Sequence, residues 1–214
     1  EALYKVLKDT IIASQNIRFE GDGYSEEWKQ EAQKRGLTNI CHVPEAIMKF
    51  NDPQSRAVLL GEKIFNENEL NCRIEVELEK YTKKVQIESR VLGDMAINHI
   101  IPTAVIYQNR LLENLRGLRE TFSAEEYEAL GADRRELVKR IQIRILAIKQ
   151  LVNDMTEARK VANRLPSQIE KAFSYEEHVR PYLDEIREHI DLLELEIDDE
   201  IWPLPKYREL LFTK

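Results

Sequence analysis

Four histidines, two cysteines and a run of three acids are the residues here with the most adaptable chemistry, so their spacing is the first test for a site. A di-metal centre inside a helical bundle needs a glutamate three residues before each ligating histidine, since that step puts both side chains on one helical face. Ahead of His42, His99, His178 and His189 stand Asn39, Ala96, Tyr175 and Ile186, so that reading fails at all four. Cys41 and Cys72 are too few for a Cys-based zinc site or a disulfide framework, and they read as reduced thiols. Asp198-Asp199-Glu200 offers oxygen ligands to a hard cation. Adjacent helical residues point to different faces, however, and acids at a helix C-terminus oppose its dipole. Gly21-x-Gly23 lacks the third glycine and the strand-then-helix setting of a phosphate-cradling loop. No catalytic, cofactor-binding or metal-ligating residue is assigned on these grounds.

Four further groups read more naturally as structure than as chemistry. His99 stands three residues before Pro102, where a carbonyl freed by the proline can accept its ring proton. Glu185 and His189, one turn apart, read as a surface pair. Arg134-Arg135 and Lys139-Arg140 make a basic face that is either solvated or turned to an acidic neighbour. The segment Trp202-Pro203-Leu204-Pro205-Lys206-Tyr207-Arg208-Glu209 is rigid and too apolar to expose, so it either closes over its own domain or docks on another domain or subunit.

The elements that must position these residues are helices. Between Asn66 and Glu120, Leu70, Ile74, Leu78, Tyr81, Val85, Leu92, Met95 and Ile106 recur at steps that lay an apolar stripe along one helical side. From Glu67 to Ile101 such a helix is about 52 Å long. Pro102 removes a backbone donor and predicts a kink, not a stop, because Ile101, Val105, Tyr107, Leu111, Leu112, Leu115 and Leu118 continue the pattern. Asn66 with Glu69, and Ser123 with Glu126, have the spacing of capping boxes. A short helix from Ser123 is expected to close at Gly131, followed by one over about 133–163 with Leu137, Ile141, Ile145, Ile148, Val152, Met155 and Ala162 inward. The last long helix starts near Ser167 or Ser174, with Pro181 either kinking it or marking its true start, and carries the seam Leu183, Ile186, Ile190, Leu193, Ile197.

The first third is less regular. Leu3, Val6 or Leu7, and Thr10 or Ile11 share one face of a short helix, and residues 16–24 read as an extended piece with a turn at Gly21-Asp22-Gly23. Ser25 caps a helix with Trp28 and Ala32 inward and Gly36 as its stop. Pro44 and Pro53 each begin a short helix, with Ala46, Ile47, Phe50, Val58 and Leu59 supplying apolar contacts. The predicted class is mainly α: a long kinked helix in an antiparallel three-helix bundle, preceded by a smaller irregular helical segment. The expected divisions are 1–63, 64–200 and an aromatic and proline-rich docking tail at 201–214. With 32 basic and 39 acidic residues interleaved, and a net charge of −7, the chain shows no basic footprint for nucleic acid or an anionic membrane. No apolar run approaches the roughly 20 residues that cross a bilayer. The opening Glu-Ala-Leu-Tyr-Lys-Val-Leu-Lys has no signal-peptide pattern and reads as the middle of a helix, so the chain is expected to be a piece of something longer.

Four stretches in order resemble the C-terminal region of type III glutamine synthetases. They are Phe19-Glu-Gly-Asp-Gly-Tyr-Ser-Glu-Glu-Trp28 with Glu31-Ala-Gln-Lys-Arg-Gly-Leu37; Val91-Leu-Gly-Asp-Met-Ala96 with Asn98-His-Ile-Ile-Pro102 and Tyr107-Gln-Asn109; Met155-Thr-Glu-Ala-Arg-Lys160; and Asp198-Asp-Glu-Ile-Trp-Pro-Leu-Pro-Lys-Tyr-Arg-Glu-Leu-Leu-Phe212. The resemblance implies a parent ligase that joins ammonia to glutamate using ATP, through a γ-glutamyl phosphate, with Mg²⁺ or Mn²⁺. It further implies stacked hexameric rings in the bacterial cytoplasm. The family's metal-binding glutamates, phosphate-contacting arginines and substrate loops belong to a catalytic barrel that no stretch here matches. The expectation is therefore a structural, oligomer-supporting helical domain, inactive alone, with the catalytic domain and neighbouring subunits as partners. The alternatives are a regulatory module binding a small effector in the crevice beside Pro102, and a free-standing helical adaptor.

Overall fold

The computed structural model describes residues 2–211, and the side chains of all of these except 16, 207 and 208. All regular structure among them is helical, and the chain falls into two compact units that meet between Cys41 and His42.

The first unit holds α1 (Ala2–Ala13), a 3₁₀ turn at Gln15–Ile17 and α2 (Glu26–Lys34). The apolar residues of α1 share a face, yet none is buried; Leu3, Val6, Leu7 and Ile11 are all more than half exposed. The piece expected to be extended is so only after the 3₁₀ turn, with Arg18 in the β region and Ile17 exposed. Ser25 Oγ accepts the Trp28 N–H at 3.2 Å, and Glu26 and Glu27 follow where the helix dipole favours acids. Ala32 is buried, and the Phe19 ring lies 4.8 Å from that of Trp28. Gly36, at φ +70°, ends α2 in the left-handed region, and the Leu37 N–H reaches back to the Ala32 carbonyl at 2.9 Å.

The second unit starts with α3 (Val43–Met48) and α4 (Pro53–Gly61), whose prolines sit in the first turns where a missing N–H costs nothing. Ile47, Met48, Leu59, Leu60 and Phe65 pack around Leu70, Ile74 and Leu78 of α5 (Glu67–Met95) and Ala172 of α8 (Gln168–His178). Phe50 and Val58, expected as contacts, are exposed instead. The capping box of α5 is complete: the Glu69 N–H donates to Asn66 Oδ1 at 2.9 Å, and the Asn66 N–H to Glu69 Oε2 at 2.8 Å.

Before Pro102 the helix widens into one π-helical turn, Ala96–Ile100, in which the Ile101 N–H bonds five residues back to the Ala96 carbonyl. Helix α6 (Ile101–Thr121) follows directly, so Pro102 does not stop the helix. One extra residue in a turn rotates everything after it by about 100° relative to a regular helix. The buried residues of α5, including Leu78, Val85 and Ser89, therefore hand over to Ile101, Ala104, Gln108 and Leu115. Ile106 and Val105, which a regular count puts on the stripe or in its continuation, face outward at 51% and 41% exposure.

Helix α7 is one element, Ala124–Asn163, opened by a Ser123–Glu126 capping box. Gly131 does not close it. A Cβ there would lie 3.2 Å from Leu115 Cδ2, so the glycine marks where α6 comes close and not a helix end. A third capping box, Ser167 with Glu170, starts α8, and Pro181 lies in the first turn of α9 (Arg180–Glu196), which fixes it as a start. The rods α5–α6, α7 and α8–α9 enclose the main core, with Ile141, Ile145, Ile148, Val152, Met155 and Ala162 meeting Ile186, Ile190, Leu193 and Ile197. Leu137 and Leu183 flank it, half-buried. Tyr175 of α8 is fully buried; its hydroxyl donates to Asn163 Oδ1 at 2.9 Å and accepts from Gln86 Nε2 at 3.2 Å.

Candidate functional site

The tail after α9 is a strap across the bundle. Trp202 is 7% exposed and sits in the main core, with Ile201 and Leu204 packed against it. What holds the strap is Lys206, whose Nζ donates to the Glu194 carbonyl at 2.6 Å, the Ile197 carbonyl at 3.2 Å and Asp199 Oδ1 at 2.5 Å. These carbonyls end α9, where the helix dipole is negative and a cation is favoured. The ammonium also lies 5.9 Å from the centroid of the Trp202 ring. The segment through Lys206 thus closes over its own bundle. A short helix, α10 (Tyr207–Leu210), follows it, and Phe212 lies outside the described residues.

Beneath the strap is a crevice of about 170 Å³. Leu92, Met95 and Ile100 line it from α5 and the π turn, Ile190 from α9, and Trp202, Leu204 and Pro205 from the strap. Its polar edge is Arg187, Asp191 and Glu194. Arg187 Nε donates to Asp191 Oδ1 at 2.5 Å, and that carboxylate holds the guanidinium proton more firmly than usual. Glu194 is half-buried, and its carboxylate makes no hydrogen bond or ion pair among the described residues. Trp202 Nε1 is buried with no acceptor.

A second polar cluster joins three elements. Glu176 of α8, its side chain 10% exposed, meets His42 Nδ1 at 2.7 Å through Oε1 and accepts the Tyr81 hydroxyl through Oε2. Burial first, then that hydrogen bond, pushes the Tyr81 hydroxyl far above the ordinary phenol range. A third lies between α5 and α7, where Arg159 Nη1 donates to Ser89 Oγ at 3.3 Å. Burial, and then Arg90, lower the Arg159 pKa.

The residues singled out in the sequence are spread apart. His99 is exposed and its ring makes no hydrogen bond among the described residues; it is the His99 carbonyl that is used, accepting from the Thr103 hydroxyl at 2.9 Å. No hydrogen bond or ion pair joins Glu185 and His189 among the described residues, and His189 Nδ1 is buried without a partner. Asp198 accepts from Arg110 at 3.2 Å and from the Glu200 N–H at 3.0 Å, while Asp199 holds Lys206, so neither carboxylate is free to turn toward a cation. Among the described residues no three His, Cys, Asp or Glu side chains are placed to hold a metal. The basic face of α7 is divided: Arg135 bonds Glu128 at 2.6 Å, while Arg140 reaches Glu196 of α9 at 2.8 Å. Cys41 and Cys72 are free and exposed. No helix among the described residues is long and apolar enough to cross a membrane.

Sequence reasoning missed the Tyr81–Glu176–His42 cluster; it expected a crevice beside Pro102 but not the strap that roofs it or its polar edge. Trp202 was the one signal for that roof; nothing local marks Glu194 or Glu176.

Comparison with known proteins places this arrangement. A family model, the glutamine synthetase C-terminal domain, matches residues 2–119. Over the whole chain, 74% of residues are identical to a glutamine synthetase of Bacteroides fragilis (strain YCH46), of whose length the chain covers 29%. The chain is also similar along its full length to a type-3 glutamine synthetase of Dictyostelium discoideum, 29% identical with 29% of that protein covered, and to a glutamine synthetase of Butyrivibrio fibrisolvens, 27% identical with 30% covered. It spans less than a third of each.

Proposed function

Because the chain belongs to the glutamine synthetase C-terminal domain family, we propose that it is the helical scaffold of a ligase that joins ammonia to glutamate with ATP. In this reading it buttresses the catalytic part of the enzyme and supports contacts between subunits. The observation that carries it is α1, a helix with an apolar face and no buried residue. Leaving six large apolar side chains in water (Leu3, Tyr4, Val6, Leu7, Ile11 and Ile12) forgoes roughly 1.5–3 kcal/mol for each large aliphatic or aromatic one, so a covering surface is expected. The rest of the ligase is the cover that fits the relatives' greater length.

ATP and Mg²⁺ or Mn²⁺ belong to the catalytic part of that enzyme. The described residues here do not fit a metal: the acids at 198–199 are engaged by Arg110 and Lys206, and no other acidic or histidine cluster is placed for one. No step of the reaction is routed through this chain. The working assembly is the stacked hexameric ring of the type III enzymes, in the cytoplasm. The test is ATP-dependent glutamine formation by the 214-residue chain with Mg²⁺ or Mn²⁺ supplied. The expected result is no turnover, and turnover that copurifies with the chain overturns the reading.

A further inference from the structure

We propose that the crevice under the C-terminal strap binds a small neutral molecule with a hydrogen-bond acceptor: a carbonyl on a compact apolar body. The inference does not depend on the ligase reading. It rests on one buried donor without a partner and on the walls around it.

Trp202 lines the crevice and is 7% exposed, and its Nε1 is buried with no acceptor among the described residues. Protein interiors pair nearly all such donors, because an N–H taken out of water unpaired loses its hydrogen bond with nothing in return. The missing partner has to enter from outside the chain. Apart from the polar edge, the walls are carbon, from Leu92, Met95, Ile100, Ile190 and Leu204. A water molecule needs two to four polar partners to settle, more than one indole N–H among aliphatic walls supplies. At about 170 Å³, and roughly 30 Å³ for each water-sized group, the space suits a body of about five or six heavy atoms.

The polar edge limits the charge of the occupant. Arg187 is held by Asp191, through a hydrogen bond and charge, and also by the charge of Glu194. Lys206 donates to Asp199 and to two carbonyls. An ammonium would find no uncommitted carboxylate and would leave the indole donor unmet. An anion would accept from the indole but face two acids against one arginine. A neutral carbonyl accepts the proton and adds no charge.

The probes are cyclopentanone and cyclopentylammonium, which share a body and differ in the head that meets the donor. The chain has two tryptophans, so its nitrogen-15 NMR spectrum holds two indole N–H signals, assigned through Trp28→Phe. Cyclopentanone is expected to move the Trp202 indole proton downfield and saturably while the Trp28 signal stays in place. The ammonium should bind at least about tenfold more weakly, since it brings a charge and no acceptor. Trp202→Phe, which keeps an aromatic ring and removes the donor, should weaken the ketone about three- to tenfold in ligand-observed NMR, the usual value of one net hydrogen bond. A Trp202 indole proton that the ketone does not move, equal binding of the two probes, or full ketone affinity in Trp202→Phe each overturns the proposal. If Trp202→Phe does not fold, the indole signal and the probe comparison on the parent chain decide alone.

Discussion

Tyr175 offers the sharpest separation of packing from hydrogen bonding in this bundle. Its ring is fully buried, and its hydroxyl lies between Asn163 Oδ1 at 2.9 Å and Gln86 Nε2 at 3.2 Å, tying α8 to α7 and α5. Tyr175→Phe keeps the ring and removes both bonds. Gln86 Nε2 still reaches Asn163 Oδ1 at 3.3 Å, so neither amide is orphaned. Two net hydrogen bonds at roughly 0.5–1.5 kcal/mol each predict a loss of about 1–3 kcal/mol. Tyr175→Ala also empties a site the size of the ring, adding roughly 3–5 kcal/mol. Urea unfolding followed by far-ultraviolet circular dichroism measures both, provided the slopes match the parent's. A Phe variant within about 0.5 kcal/mol of the parent, or an Ala variant no worse than the Phe one, would refute the division.

Three other outcomes are expected. Gly117→Ala should stabilise by about 0.5–1 kcal/mol, since the glycine is in the exposed interior of α6 and a Cβ there meets nothing within 4 Å; a lower thermal midpoint would contradict it. Tyr81 keeps its proton in the folded chain above its ordinary value of 10.0, where the unfolded chain loses it, so folding binds more protons and stability falls as pH rises past about 10. Tyr81→Phe should flatten that alkaline fall, as chemical denaturation at a series of pH values will show. Lys206→Met should release the strap, with a loss of about 1.5–3 kcal/mol for its charge-assisted bonds and faster limited proteolysis after Glu196; unchanged cleavage counts against the latch.

The parts of the fold legible in the sequence are those set within a turn or two. Asn66–Glu69 and Ser123–Glu126 close as capping boxes because both partners lie three residues apart, and Gly36 ends α2 because its own φ decides it; the sequence leaves Ser167 as only one of two possible helix starts, and its box with Glu170 settles the choice. Gly131 misled because a glycine that ends a helix and one that lets a neighbour approach look alike until Leu115 is beside it. The lining of the crevice beside Pro102 and the Glu176 cluster were not legible for a related reason. His42 and Glu176 are 134 residues apart, and only the packing of α3 on α5 and α8 brings them together. Trp202 stood out by its company of prolines, while Glu194 is one acid among many on an amphipathic helix.

The wide turn at Ala96–Ile100 has a bearing on which length changes the long helix can survive. Removing one residue from most of α5 would swing every side chain beyond the cut off its seat. Removing Asn98 or His99, both exposed, would instead return the segment to regular winding and leave Ile101, Ala104 and Gln108 pointing where they already do. The helix therefore carries one surplus residue at a single address, next to a proline that a tighter coil would accommodate poorly.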